Sequence, residues 1–245
     1  MPPGDRQGYL AVAILSFGAI GFTGILSFSP NPVFQPYFWS LSPLLVVVVI
    51  SAVGIIALGF LSSHGWFEMY SRKQSLRGVA WPSAFATLFA VPIVLIDLTV
   101  VFSYQHVPQP QSMLFYPTMA YVAEIVFHVL PLSLLLVALG PLRKGRDPTR
   151  LVWLCIVLAS CLEPMFQLSW SPLEVPLSGV GVYVGLHVFA FNVLELSIFR
   201  RYDFVSMYAC RLVYYLYWHV LMGLGAPVPA VGVAKTYRGG ICENH

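Results

Sequence analysis

Glu124 and His128 stand four residues apart in the run VAEIVFHVLPLSLLL, so a helix puts a carboxylate and an imidazole on one face. That pairing suits two kinds of chemistry: ligating a metal ion, or a carboxylate orienting an imidazole that moves a proton. The plainer reading is a buried pair that satisfies itself. Asp97, Glu163, His187 and His219 also lie inside apolar runs. Each such group costs a few kcal/mol in hydrocarbon unless it meets a partner, a water-filled cavity or an ion.

Other polar residues accompany them. Gln167 follows Glu163 by four, with Pro164 between, and the proline frees a backbone carbonyl in mid-helix. The glutamate and glutamine either mend that kink or work beside it. Asn192 follows His187 by five and reads as glue between helices. Glu195 lies near Arg200 and within reach of the cytoplasmic interface, which leaves it outside the expected core. Arg211, Tyr215 and His219 recur at four-residue steps within RLVYYLYWHVLMG. One stripe thus holds a guanidinium, a phenol and an imidazole; alternatively Arg211 snorkels to the surface while Tyr217 and Trp218 face lipid. Asp97, alone in PIVLIDLTVV, is expected to pair with a His or Arg of another helix.

The elements that carry these groups follow from composition. The 245 residues are 58% hydrophobic and 9% charged, with mean hydropathy +0.78. A soluble domain carries roughly 25% charged residues, so lipid must be part of this chain's solvent. Apolar runs of about bilayer length cover 8–28, 38–62, 80–104, 115–141, 151–170, 177–200 and 204–226. Helix is forced, because lipid offers the backbone no hydrogen bonds. The expectation is an all-α polytopic membrane bundle of about seven transmembrane helices, forming a single integral domain over 1–245. The first run exceeds a signal-peptide core and reads as a membrane helix.

Charge sets the orientation. Arg6, then Arg72, Lys73 and Arg77, then Arg143, Lys144, Arg146 and Arg150, then Arg200 and Arg201 fall before the first span or in alternate loops. The loops near 29–37, 105–114 and 171–176 hold no Lys or Arg. This positive-inside pattern puts the N-terminus in the cytoplasm. At ~1.5 Å per residue, Asp97, Glu124, Glu163, His187 and His219 come to about 12–15 Å below the outer edge of the apolar layer. One layer of five ionisable groups reads as a site.

Several functions drop out. There is no HExxH, no GxSxG and no phosphate-cradling glycine loop. No span holds a lysine, which excludes a retinal Schiff base. Cys155, Cys161, Cys210 and Cys242 form no CxxC pair, and the scattered basic residues form no nucleic-acid surface.

Residues 120–223 resemble the CPBP family of CAAX-protease and bacteriocin-processing intramembrane proteins. Against that family's EExxxR motif, Ala123 takes the first Glu position, Glu124 the second and His128 the Arg position. Against FxxxH, Glu163 and Gln167 take the Phe and His positions. After the basic turn IFRRYDF, either His219 with Gly223 or Arg211 with Tyr215 fills the last motif, HxxxN/D. The departures fit a diverged member with a remodelled polar centre. The resemblance implies glutamate and histidine side chains that activate water within the membrane.

Three functions are consistent with these residues. The first is an intramembrane, protease-like hydrolase or metal protein. Its catalytic residues would be Glu124, His128, Glu163 and His219, and its metal ligands Glu124, His128, His187 and His219, a carboxylate–imidazole set that suits a divalent ion such as Zn²⁺. The second is a haem-binding redox protein with His187 and His219 as axial ligands. The third is a non-enzymatic subunit or proton relay of a larger complex. The expected partners are membrane lipid and other membrane subunits, not nucleic acid, and the expected location is the cell membrane, multi-pass.

The orientation is testable. Single cysteines placed at 143–150 in a cysteine-free background should react with an impermeant maleimide only after the cytoplasmic face is opened. Labelling of intact cells at those positions would reverse the topology.

Overall fold

The computed structural model describes residues 3–29, 33–38, 40–71, 75–100, 107–143, 148–170, 178–221 and 224. In chain order the helices are α1 (Pro3–Ser27), α2 (Gln35–Phe38), α3 (Pro43–Ser63), α4 (Ser75–Val100) and α5 (Ser112–Ala123). A π-helical segment, Glu124–Val129, carries α5 into α6 (Leu130–Leu139). Then come α7 (Pro148–Ser160), α8 (Leu162–Trp170), α9 (Gly179–Arg201) and α10 (Phe204–Tyr215), with α10 running into a second π-helical segment, Leu216–Leu221. No strand occurs among the described residues.

Six helical stretches are long and apolar enough to cross a membrane: Arg6–Ser27, Pro43–Ser63, Arg77–Leu98, Ser112–Leu139, Thr149–Ser169 and Gly179–Arg201. They coincide with the first six expected spans. The seventh, 204–226, is α10 and its π-helical continuation, packed against α4, α5 and α9. Residues 39, 101–104, 177, 222–223 and 225–226 of the expected spans lie outside the described residues.

The polarity is inverted relative to a soluble protein. Leu10, Phe17, Ile56, Leu88, Leu134 and Leu186 are exposed, while Glu124, His128, Asn192 and Glu195 are fully buried. A stable chain with that arrangement needs an apolar surround, and lipid is one.

Prolines shape the middle of the bundle. Pro131 lacks the N–H that would reach the carbonyl four residues back. The turn before it widens, and Leu130 N–H bonds to the Ile125 carbonyl, five residues back. Pro164 likewise frees the Ser160 carbonyl, and the helix breaks there between α7 and α8. Asn192 Nδ2 of α9 donates to that carbonyl at 3.3 Å, so the lost bond is replaced from a neighbouring helix. The turn between α9 and α10 is fixed by Asp203. One of its oxygens caps Ser206 N–H at 2.7 Å and the other accepts from Ser71 N–H at 2.8 Å.

α3 approaches the first π-helical segment closely because position 54 is glycine. A Cβ there would sit 2.7 Å from Ile125 Cδ1 and 3.0 Å from both its γ carbons. Gly54→Ala should therefore destabilise by about 1–3 kcal/mol through overpacking. Combining it with Ile125→Ala should cost less than the sum of the two single changes, measured by thermal unfolding in detergent. Strict additivity would mean that the two residues do not share this space.

Candidate functional site

The polar layer assembles around one cation. Arg211 of α10 is 2% exposed and reaches three carboxylates from three other segments. Its Nε donates to Glu124 Oε1 at 2.9 Å, on the first π-helical segment. Its Nη1 and Nη2 form a fork with Glu163 of α8, at 2.9 and 3.0 Å. Nη2 also donates to Glu195 Oε2 of α9 and, at 3.3 Å, to Asn192 Oδ1. Nη1 reaches Tyr215 Oη at 3.4 Å. A guanidinium has five N–H groups, and every one of its nitrogens is engaged here. The guanidinium also lies 5.9 Å from the Phe191 ring and 5.7 Å from the Tyr215 ring.

Glu124 and His128 meet as their spacing requires: His128 Nδ1 lies 2.7 Å from Glu124 Oε2. An ionised carboxylate only accepts, so the imidazole donates from Nδ1; in the neutral ring the lone pair then sits on Nε2. His128 Nε2 is buried without a hydrogen-bond partner, and Glu163 Oε2 lies 4.0 Å away. Glu195 Oε1 is likewise buried and unpartnered. One ligand atom from each of Glu124, His128 and Glu195 lies within 4.8 Å of the other two.

A cavity of about 370 Å³ abuts this cluster. Its polar end is Glu163, Gln167, Asn192 and Arg211, and much of its wall is apolar, including Phe115, Met119, Val184 and Phe191. Tyr215 and His219 also line it. Gln167 Nε2 donates to Glu163 Oε1 at 3.2 Å, so the expected pair across Pro164 forms.

The remaining expected residues sit apart from the Glu124–His128–Glu195 triad. His187 Nε2 is 3.1 Å from Tyr214 Oη, and the two rings stack with centroids 6.0 Å apart. His219 lies flat against Tyr116, at 4.7 Å and 6°, and stacks on Trp218 at 4.3 Å. Tyr214 in turn contacts Trp218. A row of rings thus links His187 to His219, where axial haem ligation would need open space. Asp97 accepts from Trp218 Nε1 at 3.1 Å, which corrects the expectation that this indole faces lipid. Two further corrections concern the cluster itself. Arg211 does not snorkel, and Glu195 is fully buried against it instead of reaching the interface.

Compared with protein-family models, curated proteins and solved structures, the chain finds no match.

Replacing Arg211 with Met would strand three buried carboxylates. The expected cost is about 3–5 kcal/mol, the scale of breaking a buried ion pair by removing one partner. Arg211→Lys should recover only part of it, since an ammonium lacks the planar fork that Glu163 receives. Unfolding midpoints that shift little in both variants would show that the cluster does not hold the bundle together.

Proposed function

We propose that the chain is a multi-pass cell-membrane protein with a CPBP-like hydrolytic centre, in which His128 activates water against a substrate held in the adjoining cavity. The observation that carries this reading is the Glu124–His128 pair: Nδ1 anchored at 2.7 Å and Nε2 left unpartnered. A carboxylate that holds one ring nitrogen fixes the tautomer and raises the basicity of the other.

The chemistry is set by position. A water between His128 Nε2 and Glu163 gives its proton to Nε2, and its oxygen adds to a carbonyl carbon presented from the cavity. The Arg211 guanidinium also lines the cavity and is the cation available to the developing oxyanion, which must compete for it with the glutamates it already serves. The tetrahedral intermediate then collapses, the bond from the carbonyl carbon to the leaving group breaks, and His128 returns the proton to that group. Glu163 lies on the cavity wall and helps to place the water. Both π-helical segments carry a candidate histidine, His128 in one and His219 in the other, and such segments gather at functional sites. The mostly apolar cavity wall suits a substrate already resident in the membrane.

A second reading is favoured by one observation. Arg211 spends its donors on groups from three neighbouring segments. A cluster built only to staple helices would do the same, and the chain would then serve as a non-enzymatic subunit with other membrane proteins as partners.

Glu124→Gln and His128→Gln separate the two. Purified protein is incubated with membrane lipids and lipidated peptides, and products are read by mass spectrometry. On the hydrolytic reading both variants lose at least about 100-fold in turnover, the lower range for a general base, while the melting temperature holds. On the stapling reading wild type and variants alike release nothing above the uncatalysed background, and Glu124→Gln is neutral or stabilising because it removes a buried charge.

A further inference from the structure

With every carboxylate ionised and His128 neutral, the cluster does not balance. Glu124, Glu163 and Glu195 bring three carboxylates, and Arg211 is the Lys or Arg paired with all of them. His128 is neutral when it donates from Nδ1 and keeps its lone pair on Nε2. With all three carboxylates ionised, two negative charges remain uncompensated at fully or nearly fully buried positions. Uncompensated charge of that size is far costlier in a dry interior than in water.

The unsatisfied atoms point the same way. His128 Nε2 and Glu195 Oε1 are buried, and neither has a hydrogen-bond partner. Both are electron-pair donors with nothing to receive the pair. They belong to residues whose ligand atoms gather within 4.8 Å. Ligands of one tetrahedral zinc ion sit about 3.4 Å apart, as bonds of 2.0–2.2 Å require, so these side chains must draw together to close the site; His128 Nε2 and Glu163 Oε2 start 4.0 Å apart.

We infer that this cluster is a divalent-cation site, with His128 Nε2 and Glu195 Oε1 as ligands and Glu163 Oε2 supplying an oxygen from the cavity side. Glu124 acts through the ring: a carboxylate–histidine–metal chain orients the imidazole and increases its hold on the ion. Arg211 stays as the clamp that positions the carboxylates. Two excess negative charges meet one divalent cation. Mixed imidazole and carboxylate donors suit Zn²⁺, Mn²⁺ or Fe²⁺ over Ca²⁺. His187 and His219 take no part, since their rings are packed among aromatics. The inference does not rest on the hydrolytic reading and competes with its general base, because the single lone pair on His128 Nε2 cannot hold a cation and take a proton from water at once.

The test uses the full chain in detergent, stripped with chelator and then dialysed against Zn²⁺ or the spectroscopic substitute Co²⁺. About one equivalent should bind per chain, with visible Co²⁺ ligand-field bands. X-ray absorption of the zinc form should show one imidazole nitrogen at about 2.0–2.1 Å among oxygen donors. Glu195→Gln and His128→Gln should abolish uptake, Glu124→Gln should weaken it about 10–100-fold, and His187→Gln should leave it unchanged. Where a variant fails to fold, the wild-type absorption spectrum decides alone. No stoichiometric uptake by the wild type would overturn the site and leave two added protons as the balancing charge. A shell with two or more imidazoles, or uptake that survives Glu195→Gln, would overturn it as well. Turnover is assayed separately, so a failed metal site and a failed hydrolase give different results.

Discussion

One guanidinium organises the centre of this bundle. Arg211 gathers Glu124, Glu163, Glu195 and Asn192 from three segments that share no local sequence. A lysine could supply the charge but not the planar set of donors. The helix break at Pro164 is tied into the same arrangement. Asn192 donates one way to the Ser160 carbonyl that the proline leaves free and accepts the other way from Arg211. Backbone repair and charge pairing are thus joined in one amide side chain. Burying so much charge costs several kcal/mol per ion, and what it returns is a single geometry.

Hydropathy in the sequence marked the helices well, because lipid imposes length and apolarity on any spanning segment. Asp97, Glu124, Glu163 and His128 were legible as buried polar groups for the same reason. Glu195 and Arg211 were misread because depth was counted from each helix end alone, which gives both an escape to the interface. The signal was present. Residues 195 and 211 lie six before the end of α9 and seven after the start of α10, either side of the turn at 202–203. An antiparallel pair joined so tightly puts them at one level, where opposite charges meet. Counting outward from the turn would have paired them.

The direction of side chains was not legible. His187 and Trp218 show why, since both depend on helix rotation, which apolar runs barely constrain. α3 has apolar residues on every side, and such a segment does not declare a face. The π-helical segments compound this. Each inserts one extra residue per turn and so rotates the helix beyond it, and neither Glu124–Val129 nor Leu216–Leu221 is marked by composition. Pro131 is the local cause of the first. The second has no proline within it.

The cluster also bears on how the chain enters the bilayer. A carboxyl can pass into lipid as the neutral acid, but a guanidinium stays charged at any accessible pH. Glu124, Glu163 and Glu195 all precede Arg211 in the chain. When synthesis reaches α10, the three acids that receive its cation have already been made. The most expensive side chain to insert therefore arrives last, and the earlier helices can wait for it uncharged. The order of the segments along the chain spares the membrane from ever hosting that cation alone.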